Sequence, residues 1–543
     1  MSKINKSPDV IWNEYTKLTD YLTSKDIFSI VKRNEEFYDG RQWGNVGGNI
    51  AKPTMNRLQR IGKYQISMLS SNDVGISIKY PFGTDETNKM LDLVSNEIKD
   101  VIEQDKLMEK ARLMVRDAFV DGSSYMMQSF NHDYETGMLS KGKIDCELVE
   151  MTRVLFGNPY SPDIQGQPYI IIVMRQYIDQ VREEYLENNL GGFEDDIQAV
   201  SDPNYDDDND GKLVTVLLTF YKKKHKETIE KVVADEFGNE VTIYEEIEKK
   251  TVFFTKTTQN ITIIPETDLE YTRYPISRFG WDNIKNSYLF DSPMTANIDN
   301  QIFVNKMFFY THEFAKNSAI PKTLVDLSKI DSKNLDKQKI GVGNLELLGK
   351  FMDYSKAPDF SPQIIQLIEK TEDEMERNMG VNDAALGNVK PDNTSAIIAL
   401  QEAAGVPLEI QRQNFYEMWE DTIRNLFDIM TVCYGERPSL DKEEHVVMVN
   451  YSMLRGLNYK LNIDIGSSAQ FSEIAQINTL NSLLAAGHID LETFLEVCPD
   501  KYIPGKETIK KYAEEQKKLM EAMQNVSNVP MADTPALDVG LPQ

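Results

Sequence analysis

Three aspartates at alternate positions, Asp206, Asp208 and Asp210, followed by Gly211, come nearest in this chain to metal chemistry. They match the first half of a calcium loop, where oxygens at every second position face the ion and a glycine makes the turn. The match then fails. The position that should hold a bidentate glutamate is Leu217, and a strand pattern follows where a helix is required. A solvated acidic loop is the better reading, and no bound metal is expected. Other chemistries fare no better. His312-Glu313 continues as Phe-Ala-Lys, so a zinc motif fails at its second histidine, and His132, His225, His445 and His488 are scattered. Gly341-Val342-Gly343 lacks the third glycine of a dinucleotide fingerprint, and Gly349-Lys350 lacks the upstream glycine of a phosphate loop. No nucleophile elbow is present, and the carboxylates are too evenly spread to nominate an acid/base pair. Nothing asks for an enzyme or a cofactor. The basic run Lys222-Lys223-Lys224-His225-Lys226 reads as the end of a strand, a solvated edge that blocks pairing rather than a nucleic-acid site.

Composition sets the frame for these negatives. With 543 residues, 41% of them hydrophobic, the chain can build several cores. Acidic residues outnumber basic ones 86 to 59, a net charge of −27. Such a balance argues against a protein that grips nucleic acid, because phosphate binding is driven by Lys and Arg. It does not exclude a protein past which DNA slides. Cys146, Cys433 and Cys498 lie far apart without a CxxC spacing, which fits a reducing compartment; the last two sit among apolar neighbours as core thiols. The start, MSKINKSPDVIW, has no apolar core of a secretion signal. The longest apolar run, Tyr169 to Met174, is too short to cross a bilayer, so cytoplasmic folding and no membrane are expected.

The elements follow from periodicity. Ile11 to Phe37 and Met55 to Leu69 read as helices, Val74 to Tyr80 as a strand, and Thr84 to Val120 as one long amphipathic helix with Thr84 or Thr87 as N-cap. From Gly122 the period changes to two. Ser124–Phe130, Lys143–Met151, Pro168–Arg175, Lys212–Lys222 and Thr251–Ile264 read as strands, and Val232 to Ile247 as a hairpin turning at Phe237-Gly238-Asn239. Gly191 to Gly211 interrupts them as a polar loop. After Asp291 helices dominate, apart from an insert at Ala319–Lys356 and a short strand pair near His445–Asn450 and Tyr459–Ile465. Residues 527–543 have the composition of a disordered tail.

The order of elements from Asp291 to Tyr434 is the most informative feature: helix, compact insert, helix, polar loop, then a helix bent at Gly405 and Pro407. In the first helix Phe303, Met307, Tyr310 and Phe314 form a stripe that needs a partner helix. In the second, Ile364, Ile368, Met375 and Met379 form another, while Glu369, Glu372, Asp373, Glu374 and Glu376 crowd the remaining face. The loop Gly380–Ser395 is rich in Gly, Asn and Asp and carries one cation, Lys390. Phe415, Trp419, Ile423, Leu426, Met430 and Cys433 share a face of the third helix.

At this point the chain resembles the portal proteins of tailed double-stranded DNA bacteriophages. The likeness is carried by Phe37-Tyr38-Asp39-Gly40-Arg41-Gln42-Trp43, by Ala51 to Arg57, and by Tyr274-Pro275 through Asp291, Pro293, Asp299-Asn300-Gln301 and Asn305. Asn393-Thr394-Ser395-Ala396 through Ala404, and Ser467 to Thr493 with Gly487-His488-Ile489, extend it over nearly the whole chain. The resemblance implies an α+β, portal-like fold: a mixed α/β wing (1–290, with a return segment 435–466), stem helices (291–318 and 359–380), and a small α/β clip (319–358). A tunnel loop (381–395), a long kinked helix (396–434) and a helical crown (467–526) complete it. The Asp206–Asp210 loop is not part of that pattern.

The implied function is a ring of twelve subunits at one capsid vertex of the virion. It would pass DNA inward during packaging and outward at ejection. Its partners would be other copies of itself, major capsid and scaffolding proteins, the terminase motor, a head–tail adaptor, and duplex DNA read without sequence specificity. Channel residues would be Asn388, Lys390 and Asn393 in the tunnel loop with Glu369, Glu372, Asp373 and Glu376 in the stem. Phe303, Met307, Tyr310 and Phe314 would be the subunit interface. Two other readings stand beside it: another head–tail connector component, for which the chain is long, and a metal-dependent hydrolase built on Asp206, Asp208 and Asp210.

Overall fold

Two residues in the left-handed backbone region, Asp26 (φ 55°) and Lys106 (φ 51°), break what the sequence reads as two long helices. The first becomes α1 (Pro8–Ser24) and α2 (Ile27–Tyr38). After α3 (Arg57–Leu69) and β1 (Val74–Lys79), the second becomes α4 (Asp85–Gln104) and α5 (Leu107–Asp121). The apolar period runs through each break, so periodicity alone misses it. At the second break Asp105 is tied down from outside its helix: its carboxylate accepts from Lys110 Nζ (2.7 Å) and from the Cys146 amide (2.8 Å). Thr84 caps α4 by accepting from the Thr87 amide, and Asn56 caps α3 by accepting from that of Gln59. This computed structural model describes residues 7–44, 52–70, 74–81, 83–135, 141–188, 197–198, 212–234, 240–319, 323–325, 352–354, 361–381, 405–440, 446–457, 459–465, 479–489, 493–495, 498 and 509. The chain divides into two units, Met1–Ile465 and Gly466–Gln543.

In the first unit β2 (Ser123–Asn131), β3 (Lys143–Glu150), β4 (Val154–Phe156) and β5 (Tyr169–Tyr177) lead into α6 (Ile178–Asn188). A hairpin of β6 (Leu213–Ala234) and β7 (Glu240–Thr257) follows, then β8 (Thr262–Asp268) and β9 (Ile276–Gly280). The strands form two antiparallel sheets, β4-β5-β6-β7-β8 and β3-β2-β9. The hairpin differs from the sequence expectation. Its two strands stay paired from Leu217↔Thr257 to Ala234↔Glu240, so the basic run lies inside a strand and not at its end. The expected strand Thr251–Ile264 is split, because the chain turns between β7 and β8. The turn at 237–239 falls outside the described residues.

A short pair, β10 (Asp282–Asn283) and β11 (Phe290–Asp291), precedes α7 (Ile298–Ala319). Then come β12 (Thr323–Val325) and β13 (Met352–Tyr354), paired antiparallel, and α8 (Gln363–Asn378). A 3₁₀ turn at Val406–Leu408 holds Pro407 and opens α9 (Glu409–Cys433); how the chain reaches it lies outside the described residues. Two strands expected near 445–465 both form, but with other partners. β15 (Val446–Asn450) pairs with β14 (Glu436–Leu440), and β16 (Lys460–Ile465) pairs with β1 nearly 400 residues earlier.

The core sits where α5 and α9 cover the β3-β2-β9 sheet. Phe415, Trp419, Ile423, Leu426 and Met430 are buried along one face of α9, and Cys433 half-buried beside them. Rings continue edge to face from Phe119 through Trp281, Phe279 and Phe415 to Trp419, with centroids 5.2 to 6.3 Å apart. The second unit has its own small cluster, Phe494, Leu495 and Cys498, against Leu480, Leu484 and Ile489. Among the described residues no helix is long and apolar enough to cross a membrane.

Candidate functional site at the base of the helical pair

α7 begins in the core and leaves it within three turns. Ile298, Gln301, Val304 and Asn305 are buried, whereas Phe308 and Tyr310 are exposed, the latter by 59%. Its root carries amides where an ordinary core helix would carry aliphatics. Gln301 is fully buried, and its Oε1 accepts from the amides of Arg57 (3.1 Å) and Leu58 (3.4 Å), both orphan donors at the start of α3. Its Nε2 donates to Met55 O (2.6 Å) and to Asn305 Oδ1 (3.1 Å). Asn305 Oδ1 also accepts from the Met55 amide (3.0 Å), and its Nδ2 donates to Gln42 Oε1 (2.6 Å). Gln42 Nε2 in turn reaches Phe37 O (2.8 Å) and Asn56 Oδ1 (3.1 Å), and Asn56 Nδ2 reaches Tyr38 O (2.8 Å).

A continuous network therefore joins α2, the segment 52–56, α3 and α7. Every side chain in it was part of the sequence resemblance, but none had a role there. Gln301 and Asn305, one turn apart on the face of Ile298 and Val304, were the signal available: amides inside an apolar stripe need fixed partners. Trp43 closes the outside, with Nε1 donating to Pro53 O (3.2 Å) and its ring 5.8 Å from Phe309.

α8 packs beside α7 and is bolted to α3 at two points. Arg57 holds Glu372 through both carboxylate oxygens, at 3.0 and 2.6 Å, in a pair largely withdrawn from solvent. One residue past the end of α8, Met379 O accepts from Gln65 Nε2. Gly380 then turns with φ +72°, and a Cβ there would lie 2.8 Å from Pro407 Cβ. The two described ends of the 382–404 segment are thus in contact, and a side chain at Gly380 would be both strained and crowded.

Placement of the remaining site residues is uneven. Glu369 and Asp373 are exposed on α8. Glu376 is half-buried. Glu372 departs from the sequence expectation of a carboxylate facing a channel, since Arg57 of the same chain occupies it. On α7, Phe303, Met307 and Phe314 are half-buried and Tyr310 is exposed, so α8 and the core cover only part of that stripe. Asn388, Lys390 and Asn393 lie outside the described residues, as do Asp206, Asp208 and Asp210. Among the described residues no three His, Cys, Asp or Glu side chains group as a metal site would need.

A second polar cluster lies where α2 and α5 meet the entry to α7. Asn34 Nδ2 donates to Val120 O (2.8 Å) and Thr295 Oγ1 (3.1 Å), and Ser292 Oγ donates to Phe119 O (2.7 Å). Arg116 binds Glu35 and Asp117. Asp121 beyond them has a buried Oδ1 without a hydrogen bond and lines a cavity of about 390 Å³ with Tyr21, Ile30, Tyr160 and Thr295. Burial first, then the charges of Asp117 and Glu35, push the Asp121 carboxyl up to about 8.

The arrangement fixes the roots of two adjacent helices to a mixed α/β core, and on their outer parts Phe308, Tyr310, Glu369 and Asp373 are exposed. Among known families, the model described as "Phage P22-like portal protein" matches residues 19–536, nearly the whole chain. No curated protein matches.

Proposed function

The chain belongs to the phage P22-like portal protein family, and we propose that α7 and α8 are the stem through which its ring passes DNA. Portal proteins of this family are structural components of the phage capsid and act as a homo-oligomeric ring in genome packaging. The observation that carries the stem reading is the anchored root and the exposed outer residues of the α7/α8 pair. Polar bolts at Gln301, Asn305 and Arg57 hold each helix against the core, while among the described residues Phe308 and Tyr310 of α7 stay exposed. In a ring the next copy covers them, and Phe303, Met307, Tyr310 and Phe314 form the interface.

Glu369 and Asp373 then face the bore. Duplex DNA carries one negative charge per roughly 1.7 Å of axis, so fixed cations would hold it, whereas carboxylates repel it from all sides and keep sliding easy. Glu372 contributes through Arg57 as a fastener. Asn388, Lys390 and Asn393 extend the bore as a tunnel loop, with Lys390 a weak repeated phosphate contact. We place the ring, of twelve copies, at one capsid vertex, where it takes part in assembly with capsid and scaffolding proteins, docks the packaging motor and later holds the adaptor and tail.

The direct test is Phe303→Asp and Tyr310→Asp, read by size-exclusion chromatography with light scattering. Both variants keep a folded α/β core and fail to form rings, because a carboxylate closed into an apolar contact is left without a partner. Rings of wild-type mass from both would remove the interface assignment.

A further inference from the structure

The cavity of about 390 Å³ that Asp121 lines is bounded by α1, α2, the end of α5 and the strap 284–292 that leads to α7. Its size falls in the range of small-ligand sites. Much of its wall is apolar, with Ile27, Ile30 and Val31 from α2, Met151 after β3, and Leu289 from the strap. The hydroxyls in the wall are engaged. Ser287 Oγ accepts from the Leu289 amide, Ser292 Oγ donates to Phe119 O, and Thr295 Oγ1 accepts from Asn34 Nδ2.

The Asp121 carboxyl is not engaged. Among the described residues no hydrogen bond or ion pair reaches it. The charges that bear on it are Asp117 and Arg116 of its own helix, Glu35 of α2 and Glu150 at the end of β3. Arg116 is already shared by Glu35 and Asp117, and Arg153 holds Glu150, which leaves Asp121 without a cation. Lys25, Lys285 and Asp291 also line the cavity, but they are exposed at its mouth, where solvent screens them. A second acceptor stands at the same wall. Asn34, 1% exposed, joins Val120 O to Thr295 Oγ1 through its Nδ2, and its Oδ1 has no hydrogen-bond partner.

A closed-in carboxyl beside a chamber of hydrocarbon asks for a donor that carries positive charge. A hard metal ion fits poorly, since such ions need a shell of oxygens and this wall is largely aliphatic. An organic ammonium meets both halves of the site. Its N–H groups and charge face the carboxyl, and its alkyl body covers Ile30, Val31 and Leu289. We infer that this cavity binds a small primary ammonium compound with an aliphatic body, its charged end on Asp121.

The full chain is titrated with n-hexylammonium chloride by isothermal titration calorimetry, with hexan-1-ol and hexanoate as the matched neutral and anionic probes. Hexylammonium should bind saturably and roughly tenfold or more tighter than either. Asp121→Asn should lose that margin while keeping the wild-type circular dichroism. Ile30→Trp, which fills the chamber and leaves Asp121 in place, should lose it too.

The wild-type chain gives an independent reading through pH. Burial, then the charges of Asp117 and Glu35, hold the Asp121 carboxyl up at about 8, whereas an alkylammonium, like a lysine side chain, stays charged to about 10. Binding below about 8 therefore displaces a proton from Asp121. Affinity should rise as pH climbs from about 6 to about 8 and level off above it, and heats in two buffers of different ionisation enthalpy should report the proton released. A purely apolar cavity would take hexan-1-ol as tightly, and surface adsorption would survive Asp121→Asn. Either result, or no saturable heat with hexylammonium, overturns the site.

Discussion

Gln301 is the residue on which the hydrogen bonds at the root of α7 converge, and its worth can be measured. Replacing it with Leu keeps the volume but strands the Leu58 amide and leaves the Arg57 amide and Met55 O with only the bond between them (2.8 Å) in a closed site. Each buried group so stranded costs about 1–3 kcal/mol. We expect Gln301→Leu to lower stability by about 1–3 kcal/mol in chemical denaturation, and a loss under about 0.5 kcal/mol would show that water replaces the amide. Asp121 gives a pH signature. Its carboxyl titrates at about 8 in the fold against 3.8 ordinarily, so the folded state holds a proton that the unfolded chain has released. That contribution is complete below the ordinary value and is lost as pH rises toward 8. Asp121→Asn cannot ionise, so its melting temperature relative to wild type should climb as pH rises from about 4 to about 8, between the ordinary and the raised value; parallel profiles would contradict the burial argument.

Elements were legible to different degrees. Strands β2, β3 and β5, the capped start of α4, and the buried stripe of α9 follow from periodicity and capping residues. The breaks at Asp26 and Lys106 do not, because the hydrophobic period crosses them. The β1–β16 pairing and the length of the β6/β7 ribbon depend on contacts between distant segments, which local patterns do not encode. The candidate site divides the same way. Its acidic and apolar stripes could be read, but the Arg57–Glu372 bond joins positions 315 residues apart and could not. That bond also separates Glu372, held by Arg57, from the exposed Glu369 and Asp373 on α8. Breaking a shielded pair by removing one member costs more than removing both. We therefore expect Arg57→Met to destabilise the fold more than Arg57→Met combined with Glu372→Met, whereas Asp373→Asn, exposed on the same helix, should change stability by less than about 0.5 kcal/mol. Equal losses for the single and double variants would mean the pair is solvated.

At the scale of the whole molecule, a net charge of −27 per copy has opposite consequences for its two tasks. It suits a bore that must not hold DNA, and it opposes the association of copies that makes the bore. In the proposed ring, association rests on apolar contacts along α7. Lys390 tests the bore: Lys390→Glu should leave ring and procapsid formation intact and change the length of genome packaged or retained. Wild-type DNA content in those particles would place the residue away from DNA. The central claim is that this chain closes into a ring around a DNA-sized hole, and class averages of the purified full-length protein by electron microscopy test it most directly. The account predicts closed rings with a central channel wide enough for a duplex; monomers or open filaments at the same concentration and low salt would contradict it.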